Sequence, residues 1–339
     1  MKQIVGNDSS ISIINSSARS NSIPHAYLFE GPTHVGKMTA AKELAMFLNC
    51  NSTVEACSNC VQCKRIMNGT HADVEFIGLS DNNISSSNQG VVTIEQIRNI
   101  QKKIALSPFE GKYRVIIIAE AENLTLEASN CLLKTLEDPP EGVVIVLLTV
   151  NSSNLLSTVV SRCLLVQFKP VNTNLIKSYL VDNYSVSEKE AFELSRLSKG
   201  SPGWAINAVC NTEVRDRFNK IVEKIDVTIK GDLELRFEYA DDIAQMFRKE
   251  KKLVKDELHF WLNYWRDILL IKVGASELVI HNSRLETFNF LSSQMTVDII
   301  FSVIKKLLET LDLLDRNINP NLAIEQFVIS LPEINIKPS

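Results

Sequence analysis

Short, wholly apolar runs alternate with helical patterns through the first half of the chain, and long apolar stripes of 3.6-residue period fill the second. "AYLFEG" (26–31) predicts a strand ending in a glycine turn, and "MTAAKELAMFLN" (38–49) the helix behind it. "YRVIIIAEAENL" (113–124) predicts a second strand with an acidic end. "SNCLLKTLEDPP" (129–140) predicts a helix stopped by Pro139 and Pro140, which cannot continue its hydrogen bonding. "GVVIVLLTVN" (142–151) predicts a third strand, and "STVVSRCLLVQFKP" (157–170) leads into a fourth. Strands apolar on both faces, alternating with helices, predict a parallel sheet covered on each side, hence an α/β domain over residues 1–170.

Beyond residue 170 the pattern turns helical. "TNLIKSYLVDNY" and "EKEAFELSRLSKG", punctuated by Gly200, Pro202 and Gly203, predict a small helical domain over 171–210. Residues 204–319 hold two glycines, Gly231 and Gly274, and no proline, with stripes such as "ELHFWLNYWRDILLIKV" (257–273). Residues 211–339 are therefore expected to be all-α. The Ser/Asn-rich "SDNNISSSNQG" (80–90) is expected to be an exposed loop.

Of the 339 residues, 45% are hydrophobic and 22% charged, a balance that folds around real cores. No apolar run is long enough for a membrane span, and "MKQIVGNDSSISI" lacks the charged head and apolar block of an export signal, so a cytoplasmic protein without membrane contact is expected. A formal charge of −4 argues against a protein that grips nucleic acid alone. The basic runs "IRNIQKK" (97–103) and "FRKEKK" (247–252) read as solvated helix faces, so nucleic-acid contact is expected to be shared with partners.

Three constellations carry chemistry. "GPTHVGKM" (31–38) follows a predicted strand and opens a predicted helix, the setting of a phosphate loop G-x-x-x-x-G-K-[ST]. Gly31, Gly36 and Lys37 are in place, but Met38 stands at the hydroxyl position. At the acidic strand end, Ala119 occupies the first position and Glu120 follows. Both protein ligands of a catalytic Mg²⁺ are thus missing together, and His34 crowds the phosphate path. Lys37 and the loop amides remain to meet phosphate, so ATP binding stays in question while hydrolysis by this chain is not expected. A plain strand-to-helix turn is the bland reading of the same glycines.

Four of the seven cysteines, Cys50, Cys57, Cys60 and Cys63, form C-x6-C-x2-C-x2-C. Overlapping knuckles of this spacing close a tetrahedral shell and favour a structural Zn²⁺ over an iron–sulfur cluster, because nothing else in the chain suggests redox chemistry. Cys131, Cys163 and Cys210, each in apolar surroundings, are expected in the core. Ser161 and Arg162 fall in a break between apolar stretches, where an arginine is either a surface ion pair or an arginine finger aimed at a neighbour's γ-phosphate.

"HAYLFEGPTHVGK", the four cysteines directly behind the loop helix, "NCLLKTLEDPP" and "TVVSRC" together resemble the clamp-loader subunits of bacterial DNA polymerase III, members of the AAA+ superfamily. The resemblance covers residues 4–170 and continues more loosely through the C-terminal helices. Within that family the motor type, tau/gamma, keeps an intact loop and acidic strand, whereas the delta-prime type has degraded ones and keeps Ser-Arg-Cys. Met38 and Ala119 fit the delta-prime type, as do "YWRDILL" (264–270), "NPNLAIEQFVISLP" (319–332) and a length short for the tau form.

The resemblance implies an AAA+-type parallel-sheet domain with a zinc module, a small helical lid, and a C-terminal helical collar. It implies that Arg162, with Ser161 beside it, acts in trans on ATP held by an adjacent motor subunit. It places Thr149 at the strand-end sensor position, and "GSPGWA" (200–205), around Trp204, offers no nucleotide-sensing arginine. The implied role is a stator-like subunit that joins tau/gamma and delta subunits in a ring and helps place the sliding clamp on primer-template DNA. The alternatives are a working ATPase, with Glu120 on Mg²⁺ and Thr39 supplying the hydroxyl, or a zinc-stabilised scaffold without nucleotide function.

Overall fold

The apolar runs become the strands of one parallel sheet. A computed structural model of the chain describes residues 4–19, 23–52, 56–78, 91–280, 284–316 and 318–334; the 80–90 segment lies outside the described residues. The chain divides into two compact units, Met1–Ile206 and Asn207–Ser339.

In chain order the first unit runs α1 (Asp8–Ala18), β1 (Ala26–Glu30), α2 (Lys37–Asn49), α3 (Val61–Met67), β2 (Val74–Ile77), α4 (Ile94–Ile104) and β3 (Arg114–Ile118). It continues with α5 (Leu126–Glu137), β4 (Val143–Thr149), α6 (Ser157–Val160), β5 (Leu164–Gln167), α7 (Thr173–Tyr184), α8 (Glu188–Leu197) and the start of α9 (Pro202–Cys210). The strand order is β2-β3-β4-β1-β5, parallel throughout. Among the described residues five strands therefore stand where the sequence predicted four. The addition is β2, whose "VEFI" is short, half-buried at Glu75 and Phe76, and lies at the sheet's edge.

Successive residues of β1 serve opposite faces, as strand geometry requires. Tyr27 and Phe29 pack with Ile14, Leu44 and Ile66, from α1, α2 and α3. Ala26 and Leu28 pack with Ile97, Ile100 and Leu132, from α4 and α5. This is the parallel α/β sheet, covered on both faces, expected from the sequence. In α4 the basic run behaves as expected: Ile97, Ile100 and Ile104 are buried and Lys102 and Lys103 are exposed.

The second unit comprises α10 (Thr212–Lys230), α11 (Leu233–Lys249), α12 (Lys251–Lys272), α13 (Leu285–Gln294), α14 (Val297–Asp315) and α15 (Pro320–Ile329). Trp261, Tyr264 and Trp265 of α12 are fully buried, with Phe288 and Phe327 packed edge-on to Tyr264 and Trp261. Trp261 Nε1 donates to Tyr239 Oη at 2.7 Å, Tyr239 donates to Glu257 at 3.0 Å and Tyr264 donates to Asp226, whereas the buried Trp265 Nε1 has no hydrogen-bond partner among the described residues. The "FRKEKK" run is not one helix face, because α11 ends at Lys249 and α12 starts at Lys251 with Glu250 between them. Cys210 is exposed and Cys131 and Cys163 are half-buried, so none of the three lies fully in the core. Among the described residues no helix is long and apolar enough to cross a membrane.

Candidate functional site

Two glycines shape the loop after β1. Gly31 has φ 149°, and a Cβ there would lie 2.2 Å from the Phe168 carbonyl oxygen, so only glycine lets the strands approach. Its N–H donates to Thr149 O at 3.2 Å. Gly36, with φ 105°, caps the start of α2. The connection from β1 leaves for the far edge of the sheet while that from β4 crosses to β5, which makes this the topological switch point where open parallel sheets bind ligands. The loop amides and the N-terminus of α2 suit an anion there.

The loop is braced from within. Lys37 Nζ donates to Gly31 O and, at 2.8 Å, to Pro32 O. Ser201 Oγ donates to Thr33 O at 2.9 Å, and Gly203 N to the carbonyl of His34, itself at φ 61°, at 2.9 Å. Burial lowers the Lys37 pKa to about 8, against the pull of Glu122 and Glu30. Met38 packs half-buried against the core and offers no oxygen.

The first strand-end position offers no side-chain oxygen either. Ala119 contributes only a backbone bond to Ile77 O. Glu120 sits at φ 50°, with its carboxylate accepting from Asn123 Nδ2 at 3.1 Å. Glu30 accepts from Ser152 N at 3.0 Å and Ser152 Oγ at 3.1 Å; that backbone bond is the main cause of its lowered pKa. Thr149 is buried, and its hydroxyl exchanges bonds with Asn151 N and O at 3.2 and 3.1 Å. The structure thus brings Gly31, Gly36, Lys37, Met38 and Thr149 to one end of the sheet.

Ser161 and Arg162 lie just past α6. Arg162 donates to Thr158 O at 2.9 Å and pairs with Glu137 at 2.7 Å, its side chain 34% exposed. Ser161 is exposed and donates to Thr158 O. Behind them, burial pushes the Cys163 thiol up to about 12.

The four cysteines converge. Their sulfurs all lie within 4.8 Å of one another, Cys50 and Cys60 at 4.0 Å, with Cys50 and Cys63 buried and Cys57 exposed. Thiolates at about 2.3 Å from a tetrahedral ion stand roughly 3.8 Å apart, so this donor set fits such an ion with little adjustment. Backbone N–H groups of Ser52 and Cys57 point at the Cys50 sulfur, Cys60 N at Cys57 and Cys63 N at Cys60, at 3.3–3.4 Å. Such donors favour thiolate: those of Asn59 and Cys60 take the exposed Cys57 down to about 6, while burial pushes Cys63 up.

The family model "DNA polymerase III, delta subunit" matches residues 6–172. The delta' subunit of DNA polymerase III from Bacillus subtilis is 28% identical over 322 residues, 95% of this chain and 94% of that one. The chain belongs to the clamp-loader subunit family of DNA polymerase III. Its clamp-loader relatives also include the B. subtilis tau subunit, 27% identical over 97% of this chain, and the Escherichia coli tau subunit, 31% identical over 58%. The chain spans 61% and 30% of those two proteins, against nearly all of the delta' relative. A solved gamma-subunit-related protein of Thermotoga maritima aligns at 18% identity and a TM-score of 0.39, over 94% of this chain and 97% of that one.

Several partners in this clamp-loader chain escape sequence reasoning. Glu137, the partner of Arg162, sits on another helix, and Ser201 is far in sequence from the loop it braces. Asp73 is the largest omission. It is buried, accepts from the backbone N–H groups of Phe109, Glu110 and Gly111, and pairs with Arg114 at 2.9 Å. Burial opposes its charge, but those donors hold its carboxyl at about 2. A lone aspartate before "VEFI" carries no sequence signal of that role.

Proposed function

We propose that this clamp-loader subunit is of the delta-prime type, a stator that has lost its own ATP hydrolysis and supplies Arg162 in trans to ATP held by a neighbouring tau/gamma subunit. The carrying observation is the paired loss at Met38 and Ala119: a well-formed loop at the switch point with neither protein ligand for Mg²⁺. The near full-length similarity to a delta' subunit supports the same reading. In the lone chain the Arg162 guanidinium is paired with an exposed Glu137, a contact weak enough to exchange for a phosphate. Residues 171–210 and 211–339 serve as lid and collar, the collar joining delta and tau/gamma subunits so that the ring can place the sliding clamp on primer-template DNA. Cys50, Cys57, Cys60 and Cys63 hold a structural Zn²⁺, which ties the end of α2 to the start of α3. The protein works in the cytoplasm.

The test is reconstitution with the cognate motor and delta subunits, reading DNA-stimulated ATP hydrolysis. Arg162→Ala is expected to lower turnover by about 10³-fold, and the chain alone to show none. Turnover by the chain alone overturns the reading of Met38 and Ala119, and an unaffected Arg162→Ala complex leaves the arginine as a surface ion pair.

A further inference from the structure

Five consecutive backbone N–H groups, those of residues 109–113, are held by two buried side chains. Asp73 takes Phe109, Glu110 and Gly111, each at 2.8 Å; Asn49 Oδ1 takes Lys112 and Tyr113, at 2.8 and 3.0 Å. Glu110 is gripped separately: Gln62 Nε2 donates to its carbonyl at 3.1 Å, Arg65 pairs with its carboxylate, and Ala72 N donates to that carboxylate at 3.1 Å. All these restraints come from one place. Asn49 immediately precedes Cys50, Gln62 and Arg65 belong to the helix that Cys60 caps and Cys63 enters, and Ala72 and Asp73 follow the turn that ends it.

The restrained loop holds apolar groups out to solvent. Phe109 is 85% exposed and Leu106 67%. A mobile loop could fold such side chains against the nearest apolar surface, whereas this one has its backbone pinned where Phe109 faces solvent. A fixed, exposed aromatic is the kind of anchor that protein interfaces bury.

We propose that the four-cysteine module is a clasp: metal bound there fixes the two arms that grip residues 109–113, and its loss releases the Phe109 loop. The inference rests on reading the module as a metal site and is independent of any nucleotide chemistry. Coupling of this kind is reciprocal, so displacing the loop must also weaken the hold on the metal. Gly111 offers the means, because a Cβ there would lie 2.5 Å from Asn49 Oδ1 with the cysteines untouched.

The experiment uses the full chain and Zn²⁺. Bound zinc is counted first, and a chain that takes up none sinks the metal reading and the clasp with it. Hydrogen exchange is then compared with and without zinc. The amides of 109–113 are expected to exchange at least about tenfold faster without it, while those of β4 stay protected. Unchanged protection at 109–113 overturns the clasp while leaving zinc binding intact. Where zinc removal loosens the whole unit, the second readout decides: release of zinc to a colorimetric chelator from Gly111→Ala, with Lys112→Ala as control. Several-fold faster release from Gly111→Ala alone is expected, and release at the wild-type rate overturns the proposal.

Discussion

The phosphate loop and the four-cysteine module are joined by a single helix, α2, yet they keep opposite things. The loop retains its backbone: glycines at positive φ, a place at the switch point, and an internal brace on the carbonyls of residues 31 to 34. At the hydroxyl position it carries Met38, and the first strand-end position is Ala119. The module retains its donors, four sulfurs within reach of one ion. On the function proposed above, backbone shape and ligand chemistry are separable, and the loop persists as architecture without its reaction.

If that contrast is right, the module bears on stability and the loop chemistry hardly at all. Cys63→Ser should show it most strongly: losing the buried ligand is expected to cost about 3 kcal/mol and to lower the melting midpoint of the first unit by roughly 6–12 °C. Calorimetry with and without zinc reads this, and an unchanged midpoint would make the module ornamental. Asp73→Asn ranks next, since it leaves Arg114 facing a neutral partner in a buried site, an effect of about 3 kcal/mol. Its pH dependence has a definite sign. A carboxyl held at about 2, below the ordinary 3.8, contributes fully above 3.8 and loses its contribution as the pH falls toward 2. Wild type and Asp73→Asn should therefore converge in acid denaturation over that interval.

On the loop side, Lys37→Met is expected to cost only about 1 kcal/mol at neutral pH, the value of its bonds to Gly31 and Pro32. The wild-type advantage should grow as the pH rises from about 8 to 10.5, because in that window the unfolded chain holds the Lys37 proton and the folded chain does not. Urea titrations of both proteins at pH 7.5 and 10 check the sign; a shrinking difference would mean the ammonium is stabilised in place. The smallest effect belongs to Met38→Thr. Restoring the hydroxyl should change stability by less than about 0.5 kcal/mol and give no turnover by the isolated chain, because Ala119 still lacks the second ligand.

The parts legible from the sequence are those whose partners lie nearby along it. Gly31, Gly36 and Lys37 share one turn, the cysteines share one short segment, and the apolar runs of β1, β3 and β4 announce a sheet covered on both faces. What escaped needed distant partners or weak local propensity. Helix α1 reads "DSSISIINSSA", residues that compete for their own backbone, and it is held by tertiary bonds from Ser10 to Gln167 and Ser17 to Tyr27. Strand β2 has only four residues and pairs on one side. Arg162 was legible as an unusual arginine, but Glu137 as its resting partner was not.

The place of β1 in the sheet has a consequence for the chain while it is being made. Ala26 pairs with Ile145 and Tyr27 with Leu164, so β1 leaves the ribosome before either of the strands that flank it. At ordinary synthesis speeds the interval is on the order of ten seconds, during which an apolar strand has two open edges until β4 emerges and one until β5 does. Helix α2 can form behind it at once, but nothing can close the sheet until the "CLLVQF" segment has emerged. The nascent chain is thus the form most exposed to mispairing with other chains, and a ribosome halted between the codons of β2 and β4 would display the strand for as long as it waited.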